Sequence, residues 1–318
     1  MNLLRSSFYN RQLPHDALKI SLIAVLCLCY TFKSSAQSTI PFSYSQYMNN
    51  LTPINSAYAM VDQAGSITGA VRKQFTGIEG APSTYLVNAN IPLPGLGAAT
   101  GFIVQSDQIA IEKQIEANFF FAKSIQLDDR NFLAVSANAG ISSYKANYLL
   151  IDNNNDPLFN ANVNETRLNA GIGMLLYSDT YYIGFSMPQL TFRSLGTASV
   201  QGDNYFRNHY YLAGAYLAEL SDDFKFKPSG LAVYTKGTPI TANITGIIYM
   251  KDLLGFGAGY TTNSQASFLL DVNVGNLHIG YSYQVGTNGS NLSGYNNAIH
   301  EIMVGFRFGE GSSTPKDL

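Results

Sequence analysis

The chain has 318 residues, a formal net charge of −2 and only 13% charged side chains, against about 25% in an ordinary soluble domain. Tyr and Phe number 21 and 19, Gly 28, Trp none and Cys two. No strongly basic stripe is available, which argues against a general nucleic-acid binder.

Residues 1–36 read as an export leader. Arg5, Arg11 and Lys19 form a basic region, residues 20–32 (ISLIAVLCLCYTF) an apolar run, and Ser34-Ser35-Ala36 a small-residue cleavage site, so Gln37 is the expected new terminus. The apolar run is short for a membrane helix. Leu26 and Leu28 stand where a lipoprotein signal wants a small residue before Cys27 or Cys29. Cleavage removes both cysteines, His15, four basic residues and Asp16, leaving 15 basic against 20 acidic side chains. The remainder then has no disulfide, zinc cluster or thiol nucleophile.

Residues 37–63 show little periodicity and precede the first clear strand. They form either a periplasmic segment or a plug of the lumen, with aromatic and amide content (Phe42, Tyr44, Tyr47, Asn49, Asn50, Asn55, Tyr58) suited to a polar interior. Strands are then predicted over 65–73, 84–91, 96–106, 114–126, 131–144, 167–177 and 180–187. Seven more follow over 207–217, 224–234, 241–250, 254–262, 265–274, 277–283 and 300–308. In 167–177, Leu168, Ala170, Ile172, Met174 and Leu176 share one face, opposite Asn169, Gly171 and Gly173. In the last strand Ile302, Val304, Phe306 and Phe308 oppose Glu301, Gly305 and Arg307, so a one-residue slip would drive two charges into lipid.

Short links such as Leu127-Asp128-Asp129-Arg130, Ser178-Asp179, Ser221-Asp222-Asp223, Lys251-Asp252-Leu253 and Gly275-Asn276 alternate with a set containing every long one: 145–166, 188–206 and 284–299. Short turns belong on the periplasmic side of a membrane barrel and long loops outside, and an even strand count returns both termini to the periplasm. The fold expected is all-β: a transmembrane antiparallel up-and-down β-barrel of about 14 strands (about 12–16) over residues 64–308, with a short tail over 309–318. A soluble sandwich or β-helix is the alternative, but it wants more outward charge or an internal repeat. Tyr85, Tyr177, Tyr181, Tyr182, Tyr249, Tyr260 and Tyr283 lie near strand ends, where they can replace Trp in an interfacial girdle.

Chemistry is sparse. No G-x-S-x-G stands in the chain, and His209, His278 and His300 read as polar lumen or rim residues, His278 opposite Leu277, Ile279 and Tyr281. Residues 152–156 (DNNND) carry oxygen ligands suited to calcium but lack the glycine and distal glutamate of an EF-hand loop. Gly95-Leu96-Gly97 opens no helix, which removes nucleotide binding. No catalytic, cofactor or metal site is expected.

Several segments exceed what barrel physics demands. They are Gln46-Tyr47-Met48, the run Ile54-Asn55-Ser56-Ala57-Tyr58-Ala59, and the first hairpin RKQFTGIEGAPST with Arg72, Gln74, Gly77, Gly80, Ala81, Pro82 and Thr84. His209-Tyr210-Tyr211, Pro228-Ser229-Gly230-Leu231, Gly237-Thr238-Pro239, the run 279–283 (IGYSY), and His300-Glu301-Ile302 before Phe306-Arg307-Phe308 follow in order. This set resembles the PorP/SprF family of type IX secretion membrane proteins, with its Q-Y-M, N-P-A-Y-A-G and R-x-Q-W-x-G-x-x-G-A-P-x-T patterns. The chain departs at Ser56 for proline, Met60 for glycine, Phe75 for tryptophan and Ile299 for serine. The first two changes are expected to loosen a turn.

The resemblance implies a non-enzymatic outer-membrane component of the type IX protein secretion system in Bacteroidota-type bacteria. Such a component supports export or surface attachment of secreted proteins and, in some, gliding motility. The implied partners are outer-membrane lipid, periplasmic lipoprotein and ring components of the machinery, an OmpA-like peptidoglycan-binding protein and a secreted adhesin. Gln46, Tyr47, Met48, Asn55 and Tyr58 are the candidate partner-docking or plug residues. A passive porin or small-molecule transporter is the competing expectation.

Overall fold

A computed structural model describes residues 44–62, 64–150, 161–191, 208–287 and 298–309. The strands, in chain order, are β1 (Gly65–Gln74), β2 (Ser83–Leu93), β3 (Ala98–Ile109), β4 (Glu112–Gln126), β5 (Phe132–Ala146), β6 (Val163–Tyr177), β7 (Tyr181–Thr191) and β8 (His209–Tyr216). They continue with β9 (Ala218–Ser221), β10 (Phe224–Thr235), β11 (Thr241–Met250), β12 (Leu254–Thr261), β13 (Gln265–Val274), β14 (Leu277–Gly286) and β15 (Ile299–Phe308). All pair antiparallel with their neighbours, and β15 returns to β1 from Gly65↔Phe308 to Gln74↔Ile299, which closes the sheet. β8 and β9 are two halves of one wall strand broken at Leu217, whose N–H donates to Thr180 O at 2.7 Å; both halves lie on β10. The wall is a closed up-and-down barrel of fourteen strands.

Every link at one end is short: 94–97, 127–131, 178–180, 222–223, 251–253 and 275–276. The other end holds the long links 147–162, 192–208 and 287–298, but also tight turns at 110–111 and 262–264. The DNNND run lies outside the described residues. At the short-turn end the Asp128 carboxylate accepts the Arg130 and Asn131 N–H groups, at 2.9 Å each, and the Asn131 amide at 2.8 Å. The Asn131 bond, followed by the two backbone bonds, holds its pKa below the ordinary value.

Several boundaries differ from the periodicity. Leu96 falls in a one-turn 3-10 helix, Pro94–Leu96, closed by left-handed Gly97 (φ 57°), so β3 starts at Ala98. β4, β5 and β6 run 15 residues each, beyond the roughly 9–11 needed to span a bilayer. Their polar ends do not alternate in hydropathy and so carry no period-two signal.

Side chains alternate between two unlike surroundings. In β6, Arg167, Asn169, Gly171, Gly173, Leu175 and Tyr177 point inward and are buried, while Leu168, Ile172 and Met174 face out. In β15, Glu301 and Met303 are buried inside, and Ile302, Val304, Phe306 and Phe308 form part of an outward apolar band. Phe119, midway along β4, is 74% exposed. Tyr85, Tyr234 and Tyr260 face out near the long-loop end, and Tyr216 and Phe224 near the other. Of the tyrosines expected in the girdle, Tyr177, Tyr182 and Tyr249 instead point inward and are buried.

Candidate functional site: a segment folded inside the barrel

Residues 44–62 lie within the barrel interior. Gln46, Tyr47, Met48, Leu51 and Thr52 have no exposed surface, and Tyr44, Ile54, Asn55, Ala57 and Tyr58 are buried. An unpaired backbone group without water is costly, so each needs a partner. Part of the accounting is local: Asn49 N donates to Gln46 O (3.0 Å), and Ile54 N and Asn55 N both donate to Leu51 O (2.9 and 2.8 Å). A 3-10 helix follows at Ser56–Met60, capped by Asn55, whose Oδ1 accepts Ala57 N at 3.1 Å.

The wall supplies the rest. Ser45 N and Gln46 N each donate to the Glu301 carboxylate at 3.0 Å. Lys227 Nζ donates to Met48 O at 2.8 Å, and Ser186 Oγ to Ile54 O at 2.7 Å. Side chains of the segment reach outward in return. Asn49 donates to Asp271 (3.0 Å) and accepts from Tyr249 OH (3.1 Å), Asn50 donates to Asn88 (2.7 Å), and Ser56 Oγ donates to Ser136 Oγ (3.0 Å). Tyr58 packs edge-on against Tyr182 with ring centres 5.4 Å apart. The segment is therefore held by a lattice of polar contacts around an apolar centre.

Inward glycines make the room. A Cβ at Gly280 would stand 1.8 Å from Gln46 Oε1, and one at Gly173 would stand 2.2 Å from Asn55 Oδ1. A Cβ at Gly184 would lie 2.8 Å from Asn55 Nδ2, which donates to Met174 O on the wall at 3.0 Å. The expected loosening at Ser56 and Met60 does not occur. The Ser56 hydroxyl gains a wall partner that proline lacks, Met60 is not left-handed, and Val61 N closes the turn onto Tyr58 O at 3.0 Å.

The other motif residues fall into separate groups. Arg72 points inward, 4.0 Å from Glu301, and donates to Gln284 Oε1 at 3.3 Å. Gln74 N donates to Pro82 O (3.0 Å), which closes the loop through Ala81. Gly77 and Gly80 have φ of 101° and 72°, conformations that favour glycine. Gly80 O accepts Ala110 N at 2.8 Å, so this loop leans on the β3–β4 turn. Thr84 donates to Asp107. His209 is inside, 2.6 Å from Thr235 Oγ1. Tyr210 is on the outer face beside Tyr234, and His300 on the outer face bonds Tyr281 OH at 2.8 Å.

Periodicity did not single out Lys227, Asp271 or Asn88. Counting alternate positions could have found Asp271, since Phe268 and Leu270 face lipid on its strand. Towards the short-turn end the segment and wall leave a cavity of about 120 Å³ lined by Asn49, Tyr58, Asp62, Lys227, His278 and Arg307, among others. Arg307 grips Asp62 there through two bonds of 2.8 Å. His278 Nε2 is 3.5 Å from Asp271.

A closed antiparallel wall, apolar outside and polar inside, is that of an outer-membrane β-barrel. The chain belongs to the PorP/SprF family, the type IX secretion system membrane proteins, whose model matches residues 36–306. Solved structures of similar outline include Omp33 of Acinetobacter baumannii (8% identity, 77% of this chain and 99% of that one, TM-score 0.44). The toluene transporter TodX of Pseudomonas putida is another (9% identity, 80% and 92%, TM-score 0.45). No curated protein is significantly similar in sequence.

Proposed function

We propose that this barrel is a plugged, non-enzymatic docking component of the type IX secretion system that supports export or surface attachment of secreted proteins, not an open channel. The observation that carries the reading is the burial of residues 44–62 against the wall through Glu301, Lys227 and Ser186. In this reading the short-turn end and both termini face the periplasm and the long loops face out. The cavity at the short-turn end, with Gln46, Tyr47, Met48, Asn55 and Tyr58 behind it, is where periplasmic lipoprotein, ring or OmpA-like partners engage. A role in gliding motility follows where the secreted cargo is an adhesin.

The test pairs two measurements on a chain lacking residues 41–60, with barrel insertion verified. Loss of complex formation and secretion supports docking; unchanged complex formation and secretion overturn it. Single-channel recording of the intact protein addresses the porin alternative: a closed baseline is expected, and a steady solute-selective pore refutes the plug.

A further inference from the structure

We infer that the outer face of the barrel carries a binding site for the phosphorylated headgroup of a membrane lipid, built on Lys113 of β4 and Lys145 of β5. The two lysines are directly opposed in the antiparallel register. Both are exposed on the outward face, in phase with Ile115 and Ile141 on the same strands. Like charges directly opposite each other destabilise a strand pair. Among the described residues no carboxylate forms an ion pair with either.

The surrounding row explains what would neutralise them. Gln108 pairs with Lys113 on one side, and Asn164 pairs with Lys145 on the other, so four adjacent strands present amide, ammonium, ammonium, amide in line. One step down the outward face lie Ser143 and Thr166, joined by a 3.1 Å hydroxyl bond. Below these come Ile141 and exposed Leu168, directly paired, where the apolar band begins. Amide and ammonium donors above, hydroxyls next and aliphatic side chains beneath match a lipid entering headgroup up and chains down.

This row presents several donors to a phosphate, which offers acceptor oxygens and negative charge. Lysines near the edge of the hydrocarbon reach headgroups at little cost. The turns at the opposite end instead carry Asp128, Asp129, Asp179, Asp222, Asp223 and Asp252 against Arg130 and Lys251. The site therefore takes its lipid from the leaflet at the long-loop end.

The test is native mass spectrometry of the detergent-solubilised full barrel titrated with bis-phosphorylated lipid A. Each lysine beside an anionic surface is worth about fivefold in affinity. The double variant Lys113→Gln/Lys145→Gln is expected to lose roughly 25-fold. Lys123→Gln/Lys251→Gln, with the same change in net charge towards the other end, is expected to bind like the parent. Heat-modifiable gel mobility verifies folding of each variant. Equal retention of lipid A by the two double variants overturns the site, as does equal retention of phosphatidylcholine by the parent. Displacement of the lipid by millimolar inorganic phosphate would show a free-anion site instead and overturn the lipid assignment.

Discussion

Replacing Glu301 with alanine should release the interior segment without opening the wall. The carboxylate is 1% exposed and receives two backbone N–H groups of the segment, Ser45 and Gln46, at 3.0 Å each. Hydrogen bonds to an ionised group contribute about 1.5–3 kcal/mol each. Losing two sets an upper bound of ~6 kcal/mol. Relief of the carboxylate's own desolvation offsets part of that, so a working value is about 3 kcal/mol, or roughly 100-fold in the docked-to-released ratio.

Ser45 makes a convenient reporter because it is buried and its Oγ has no hydrogen-bond partner among the described residues. With Cys27 and Cys29 changed to serine, Ser45→Cys is the sole thiol, and a water-soluble maleimide reads its exposure over time. Glu301→Ala should raise the labelling rate about 100-fold. Val304→Ala, on the lipid face of the same strand, controls for general weakening of β15 and should leave the rate near the parent's. A parental rate in Glu301→Ala would refute the reasoning, as would an equal rise in Val304→Ala.

Gly280→Ala places a methyl where Gln46 Oε1 sits, an overpacking worth about 1–3 kcal/mol. The same reporter should label about tenfold faster, and no change would mean that Gln46 moves aside freely. Lys227→Met leaves Met48 O without its buried donor, at about 1–3 kcal/mol. The temperature at which the folded gel band is lost should fall; an unchanged transition counts against the contact. Phe119→Arg puts a charge midway along β4 on the outward face, costing about 2–4 kcal/mol if that face meets the bilayer core. Urea titration in lipid vesicles should show that loss, and parental stability would remove lipid from that face.

The wall was legible because lipid imposes a period of two on every strand, and the fourteen expected strands each find a counterpart. Legibility stopped where that pressure stops. Above Leu168 the outward positions of β6 turn polar (Thr166, Asn164), so its first residues left no alternation to read. The tyrosines show a second limit. Being near a strand end does not decide a face, whereas parity does: Tyr177 shares phase with Asn169, Gly171 and Gly173 and so points inward. The interior segment has no period because its backbone bonds to its own turns and to scattered wall side chains more than 100 residues away in sequence. Its amide and aromatic content suggested a polar interior, but no rule of spacing could name Glu301 or Lys227 as partners.

Glu301 links the segment to the topology. It lies on the last strand, and its registered partner Arg72 lies on the first. Until β15 meets β1, neither the Arg72–Glu301 approach nor a buried carboxylate for Ser45 and Gln46 exists. The segment ends at residue 62, just before β1, where Arg307 of β15 grips Asp62 across the same junction. One carboxylate and one guanidinium of the closing strand thus hold the two ends of the interior segment. Docking of residues 44–62 requires a closed barrel, and the docked segment in turn bridges the junction between its first and last strands.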